Sequence, residues 1–409
     1  MIHISSQLLS FTANTGTTEE VIYLSLFRGA QMNFRAKVGL SSLTVFCALV
    51  LLAIATRAPA GPGKLLATGN TEIARFAHSA TLLASGKVLI TGGMEKNGTW
   101  LDSAELYDPS TGRFAPTGKM HAQRAGATAT LLPNGKVLVA GGNDGAGKSL
   151  ASAEIYDSES HSFFATGDLN SPRGHAIAIL LKTGKVLVAG GNAAGDDEEL
   201  ASAEIYDPAT GRFIPTGNMH NPRSYFTAVT LKDGRVLVAG GLSGGQYPYH
   251  KVEATAEIYD PETGRFTQVG SMSVPRYKQG AALLPDGKVL IAGGSNEDGR
   301  QSIYSSTEIF DPQVGRFTSG PRMNFHRYKL LSGVVALKDG RILLGGGAEQ
   351  PEIYDPARAV FVPVNNADPL DGFLFSTATL LEDGRVLLVD GYGHNPGAGA
   401  VNQAMVWKP

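Results

Sequence analysis

The chain has 409 residues, of which 43% are hydrophobic and 18% charged, with a formal net charge of −2. That near-neutral balance excludes a global electrostatic case for binding nucleic acid. The length would suit two or three ordinary domains, but an internal repeat overrides that prior.

In chain order, the first feature is an apolar run. Residues 39–55 (GLSSLTVFCALVLLAIA) carry no charge, follow Arg35 and Lys37, and precede Ala58-Pro59-Ala60. A basic stretch, an apolar stretch and an A-x-A end describe a secretory signal. Seventeen residues is the short limit for a membrane span. Cleavage after Ala60 is expected, with an uncleaved anchor as the alternative, so contact with a membrane would run only through residues 39–55. Met32 opens a normal signal n-region, so residues 1–31 read as an upstream extension, 32–60 as signal peptide or anchor, and 61–409 as the mature body. The protein is expected to be exported, to the periplasm or the extracellular space. The single cysteine, Cys47, lies inside the apolar run, so a mature chain from Gly61 would contain none and would use no disulfide.

From residue 64 onward one unit recurs. A short apolar strand such as His78–Leu83 ends at a turn, and Lys87–Thr91 runs into Gly92-Gly93. A polar loop follows. Ser103–Tyr107 then alternates, with Ala104 and Leu106 on one face and Glu105 and Tyr107 on the other. Asp108-Pro109-Ser110-Thr111-Gly112 is a turn, with proline setting φ and glycine allowing φ > 0. Arg113–Pro116 is an edge strand. The second glycine of the pair falls at Gly93, Gly142, Gly191, Gly241, Gly294, Gly347 and Gly391. A period near 50 residues means units that bury a core only together. Four antiparallel strands per unit is a propeller blade. The seventh unit stops after its third strand, and Lys64–Gly69 aligns with Arg113–Gly118, so the N-terminal strand is expected to close the last blade. The fold class is all-β, a seven-bladed β-propeller, and a monomer is expected.

These motifs resemble the kelch repeat: the double glycine, the spaced tyrosine, and an aromatic in the fourth strand (Phe114, Phe213, Phe266, Phe317, Phe361) where kelch blades usually carry Trp. The Ala-Glu-Ile-Tyr-Asp-Pro and Thr-Gly-Arg-Phe segments are similar to those of bacterial kelch proteins, and more distantly to the propeller domain of galactose oxidase. That last resemblance implies copper with a tyrosine cross-linked to cysteine. A mature chain without cysteine cannot form that cofactor, and no cofactor is expected.

Strand parity puts the loops after the double glycines and the links into each first strand on one face. Those loops vary most, from 3 residues (348–350) to 14 (242–255), and variable loops on a uniform scaffold are where binding usually sits. On this face recur Arg75, Arg124, Arg173, Arg223, Arg276 and Arg327, with Asp371 at the matching place in the seventh unit. Tyr225, Tyr277 and Tyr328 follow in units four to six. Radial repetition would set them around the channel mouth, where arginine forks hold carboxylate or phosphate and tyrosine faces stack on a sugar or peptide. In the eukaryotic kelch adaptor that senses oxidative stress, arginines at this place hold an acidic peptide. The competing reading pairs each arginine with a neighbouring acid from a recurring glutamate (Glu72, Glu105, Glu154, Glu204, Glu257, Glu308, Glu352) or has it cap strand-end carbonyls.

The histidines, His78 and His175 among them, lack metal-ligand spacing. The acidic run Asp196-Asp197-Glu198-Glu199 reads as a solvated loop, and no metal is expected. No catalytic constellation appears. The expected function is a binding or interaction module without catalysis, its partner an unidentified protein or an anionic ligand (a carboxylated sugar or an acidic peptide). Two alternatives stand beside it. One is a carbohydrate-active enzyme resembling the sialic acid mutarotases, which need only acid–base groups. The other is a structural cell-surface protein.

Overall fold

The computed structural model describes residues 9–12, 23–26, 61–195, 197–244, 250–296, 302–364, 374–393 and 400–409. The chain divides into two compact units, Met1–Gly61 and Pro62–Pro409. In the first, Leu9–Thr12 pairs antiparallel with Tyr23–Leu26. The expected signal at residues 32–60 lies outside the described residues.

The second unit is a seven-bladed β-propeller. Each blade is a four-stranded antiparallel sheet. Blade 1, for example, comprises Ser79–Leu82, Val88–Thr91, Ala104–Asp108 and Arg113–Pro116, from the axis outward. Each innermost strand touches the next, and Thr377–Leu380 of blade 7 touches Ser79–Leu82 of blade 1, so the ring is closed. Closure uses the N-terminal strand as the alignment predicts: Lys64–Ala67 pairs with Ala400–Lys408, with Leu65 opposite Trp407. Trp407 is 1% exposed and donates its indole N–H to the Pro62 carbonyl at 2.9 Å.

The core is a set of layers between blades. Leu89, Ala104 and Leu106 of blade 1 pack on Val137, Val139, Tyr156 and Phe163 of blade 2. The alternation Ala-Glu-Leu-Tyr is therefore a two-sided pattern: Ala104 and Leu106 face one neighbouring blade, and Tyr107 joins Val389, Ala404 and Val406 of the other. The second strands are buried on both faces, which is why they read as unbroken apolar runs. In six blades the aromatic of the third strand packs on the phenylalanine of the fourth at 4.8 Å, the substitute for the usual tryptophan.

The double glycine is required twice over. Gly92 has φ +63° and Gly93 has φ +95°, and a Cβ on Gly92 would collide with the Arg124 carbonyl. Side chains are excluded both by the left-handed backbone and by the approach of the next blade. Thr-Gly after four of the fourth strands (Thr68-Gly69, Thr117-Gly118, Thr166-Gly167, Thr216-Gly217) makes the outer joint. The Thr117 hydroxyl meets the Tyr156 hydroxyl at 2.8 Å, and the Gly118 N–H donates to the His161 carbonyl at 3.1 Å.

Candidate functional site

The links into the first strands and the loops after the double glycines share one face, bridged to each other at Phe76–Met94, Ala125–Asn143, Gly174–Asn192, Ser224–Leu242, Tyr277–Ser295 and Leu374–Tyr392. The six repeated arginines lie here, but their side chains do not line the mouth. Arg75, Arg124, Arg173, Arg223, Arg276 and Arg327 are at most 1% exposed. Each turns into its own blade and meets the third-strand glutamate (Glu105, Glu154, Glu204, Glu257, Glu308, Glu352) at 2.6–3.1 Å. Each also donates to the carbonyl of the first glycine of its pair at 2.6–3.0 Å. The carbonyls of five of them, Arg124 to Arg327, accept from the second glycine of the preceding blade at 2.7–2.8 Å. These arginines are clips: backbone on one blade, guanidinium in the next. The reason is burial. A guanidinium between packed sheets must find partners for its donors there, and the glutamate and two carbonyls take the Nη groups, while Nε of Arg223 and of Arg276 has no partner. No atom remains at the surface for a carboxylate ligand.

The ionisation follows from the same geometry. Burial pushes the Glu204 carboxyl up, but the Asn170 N–H, the Arg173 guanidinium and the Asn170 side chain outweigh it and hold the group below its usual range. Glu154 and Glu257 are held low in the same way, with His121 and His220 among their donors. Among the described residues, blade 7 lacks the glutamate of the clip. Met405 stands opposite Leu388, where Glu204 stands opposite Val188 in blade 3. Asp371 lies outside the described residues.

The mouth is lined instead by residues near each arginine. Ala77, Gly126, His175, Tyr225, Lys278, Lys329 and Phe375 all have φ between +51° and +62°, one per blade. In this ring the Gly126 N–H donates to the Ala77 carbonyl, His175 to Gly126, Lys278 to Tyr225 and Phe375 to Lys329, at 2.9–3.1 Å. Below it the axial channel forms a cavity of about 460 Å³ walled by small residues such as Ala80, Ala129, Ala178 and Ala228.

The structure brings Tyr225, Tyr277 and Tyr328 together, with Leu242 and Phe375, in one cluster on this rim. Lys278 Nζ lies 4.3 Å from the Tyr225 ring centroid, 4.9 Å from Tyr277, 5.5 Å from Tyr328 and 5.6 Å from Phe375. Lys329 Nζ lies 4.8 Å from Phe375 and 5.4 Å from Tyr328. The His175 ring stacks on Tyr225 at 4.1 Å. The Tyr277 and Tyr328 hydroxyls are 2.8 Å apart, and Lys278 Nζ is 3.4 Å from the Tyr328 hydroxyl. Sequence reasoning missed the two lysines. Their signal was the Arg-Tyr-Lys triplet, present at 276–278 and again at 327–329. His78 lies deeper, 6% exposed, with Nε2 3.0 Å from the Thr377 hydroxyl; burial, then the Arg75 charge, lowers its pKa to about 3, so it is a neutral seam residue.

Among the described residues no three His, Cys, Asp or Glu side chains converge as metal ligands. The rim histidine, His175, is occupied in ring stacking. This donor set does not fit a tyrosine–histidine–cysteine copper centre.

The Kelch motif family matches residues 124–164, 222–273 and 276–324. Over 120 residues the chain is 32% identical to tRNA wybutosine-synthesizing protein 4 of Saccharomyces cerevisiae, a match covering 28% of this chain and only 16% of that protein. Among solved structures, a fungal alcohol oxidase of the AA5 family in complex with copper superposes with a TM-score of 0.65 at 18% identity, covering 85% of this chain and 77% of the other. At that identity the likeness is one of fold.

Proposed function

We propose that this chain, a seven-bladed propeller built of kelch motifs, is an exported binding module that holds a carboxylated sugar at the channel mouth. The supporting observation is the pair of ammonium groups, Lys278 and Lys329, both lying over the Tyr328 and Phe375 rings. Ring faces attract each cation, while two cations sharing the same rings repel each other. A carboxylate received between them would meet both ammonium groups, and the half-buried Tyr328 and Phe375 faces suit the C–H face of a pyranose. The 460 Å³ cavity beneath falls in the usual size range for small-molecule sites, roughly 300–1,000 Å³. Export rests on the sequence of residues 32–60.

Calorimetric titration with glucuronate, galacturonate, sialic acid, an acidic peptide and neutral sugars tests the reading. One carboxylated sugar should bind in a salt-sensitive manner, and Lys278→Met/Lys329→Met should weaken it at least about tenfold, one charge-assisted contact being worth roughly 1.5–3 kcal/mol. Binding that survives this double variant would refute the site. Mass analysis of the secreted product tests cleavage after Ala60.

A second reading, turnover of the same ligand, draws on the Tyr328 hydroxyl, which is hydrogen-bonded to the Tyr277 hydroxyl and lies beside Lys278, an arrangement suited to proton transfer. Anomer exchange of the bound sugar, followed by NMR, separates turnover from binding.

A further inference from the structure

The acidic run left aside by the binding reading folds into a small hairpin on the mouth face of blade 3. Asn192–Ala194 pairs with Asp197–Glu199, with Asn192 directly opposite Glu199. Directly opposed residues project to the same side of a hairpin. Asn192 is 0% exposed, and the Glu199 side chain is 1% exposed. Neither amide atom of Asn192 and neither carboxylate oxygen of Glu199 has a hydrogen-bond partner. His250, on the long loop of blade 4, covers the spot. Its side chain is 7% exposed and its Nδ1 lies 3.1 Å from Glu199 Oε1, out of line for a hydrogen bond.

The neighbouring blade shows what is unusual here. In blade 2 the counterpart of Asn192 is Asn143, and the counterpart of Glu199 is Ser149. Ser149 donates its hydroxyl to Asn143 Oδ1 at 3.0 Å, and that pair is satisfied. In blade 3 that hydroxyl donor is replaced by a carboxylate, and the Asn192 amide makes no hydrogen bond to it. A third polar atom adjoins. Asn143 reaches the place where a Cβ on Gly174 would stand. Ser224 holds in blade 4 the position that Gly174 holds in blade 3, the place that Asn192 would reach by repeating the Asn143 geometry. Ser224 is 0% exposed, and its hydroxyl is without a partner as well. Buried polar atoms of this kind are almost always satisfied by something, and oxygens gathered round a buried carboxylate suit a cation.

We propose that Glu199, Asn192 and Ser224, with His250 closing the site, bind one divalent metal ion between blades 3 and 4. Carboxylate, amide and hydroxyl oxygens suit a hard cation, and an imidazole nitrogen beside them favours manganese over calcium. The site stands directly behind the mouth. Gly174, which bridges Asn192, precedes His175, and Ser224 precedes Tyr225. An ion here anchors the blade 4 loop to the blade 3 hairpin and steadies the His175–Tyr225 stack. The proposal does not depend on the mouth taking a sugar.

The test uses the full chain, stripped with chelator and dialysed against Mn²⁺, Ca²⁺, Mg²⁺ or Zn²⁺. Bound metal is counted by mass spectrometry and Tm is measured in parallel. About one equivalent of Mn²⁺ or Ca²⁺ should be retained, and Tm should rise saturably with that ion. Glu199→Gln, close in shape, should lower the affinity at least tenfold, and Asn192→Ala should lower it too. Glu198→Gln, on the same hairpin but exposed, should leave it unchanged. Preference for Mn²⁺ would make His250 a ligand and preference for Ca²⁺ an all-oxygen site; either supports the proposal. Absence of stoichiometric metal at millimolar concentration, meaning buried water only, would overturn it. Equal loss in Glu198→Gln and Glu199→Gln, the mark of diffuse surface binding, would overturn it as well.

Discussion

Replacing Arg173 by methionine separates an arginine that clips blades from one that holds a ligand. Arg173 donates to Glu204 Oε1 from Nε at 3.2 Å and from Nη2 at 2.8 Å, to the Gly190 and Ser202 carbonyls at 3.0 and 2.9 Å, and to the Ser202 hydroxyl at 2.9 Å. Methionine fills much of the volume but leaves both carbonyls short of a donor. It also leaves Glu204, whose side chain is 2% exposed, without its counter-charge. Removing one partner of a buried ion pair costs about 3–5 kcal/mol. Glu204 keeps the Asn170 N–H at 2.8 Å and the Asn170 side-chain amide at 2.7 Å, which sets the expected loss near the lower end, about 3 kcal/mol. Adding Glu204→Gln removes the stranded charge while retaining an acceptor for Asn170. The double variant should therefore lose less than the two single losses together, by about 1–3 kcal/mol. Urea unfolding followed by tryptophan fluorescence gives the three values. A loss below about 1 kcal/mol for Arg173→Met, of the size an exposed residue gives, would refute the clip.

Stability should fall with acid in two stages. His78 has a folded pKa near 3 against an unfolded value of 6.5, so its contribution is whole above pH 6.5 and declines by about 1.4 kcal/mol per pH unit below it; His78→Gln should flatten stability between about pH 6.5 and 4.5, and an unchanged slope there would count against the buried neutral imidazole. Glu154, Glu204 and Glu257 are depressed below 4.5, so their contribution is present above that value and is lost as pH falls further; the acid limb should be shallower in Arg173→Met/Glu204→Gln. Gly141→Ala should cost at least about 1–3 kcal/mol, because φ is +66° and the new methyl would strike the Arg173 carbonyl; near-wild-type unfolding would refute the close approach. A chain beginning after Gly69 would lack the strand that pairs with Ala400–Lys408, where Leu65 stands opposite Trp407, and should aggregate through the opened blade 7, which light scattering would detect.

The period, the double glycines and the turn residues were enough to give seven blades and the closing N-terminal strand, because these features act through backbone geometry. A left-handed glycine and a proline-set turn mean the same thing wherever they occur. The alternation in the third strand likewise announced two buried faces. The working surface was another matter. The sequence placed the six arginines on the correct face but could not say which way their side chains turn. That was decided by glutamates about 30 residues away, and by burial, which makes an unpaired guanidinium prohibitive. The tyrosines could be picked out, yet the Arg-Tyr-Lys triplets did not by themselves mark Lys278 and Lys329 as their partners, since only the packing of neighbouring blades brings two side chains 51 residues apart over the same aromatic faces. The acidic run read as a solvated loop because charge usually means exposure. Glu199 is buried only because a loop of the next blade lays His250 across it, and no local pattern in the chain carries that contact.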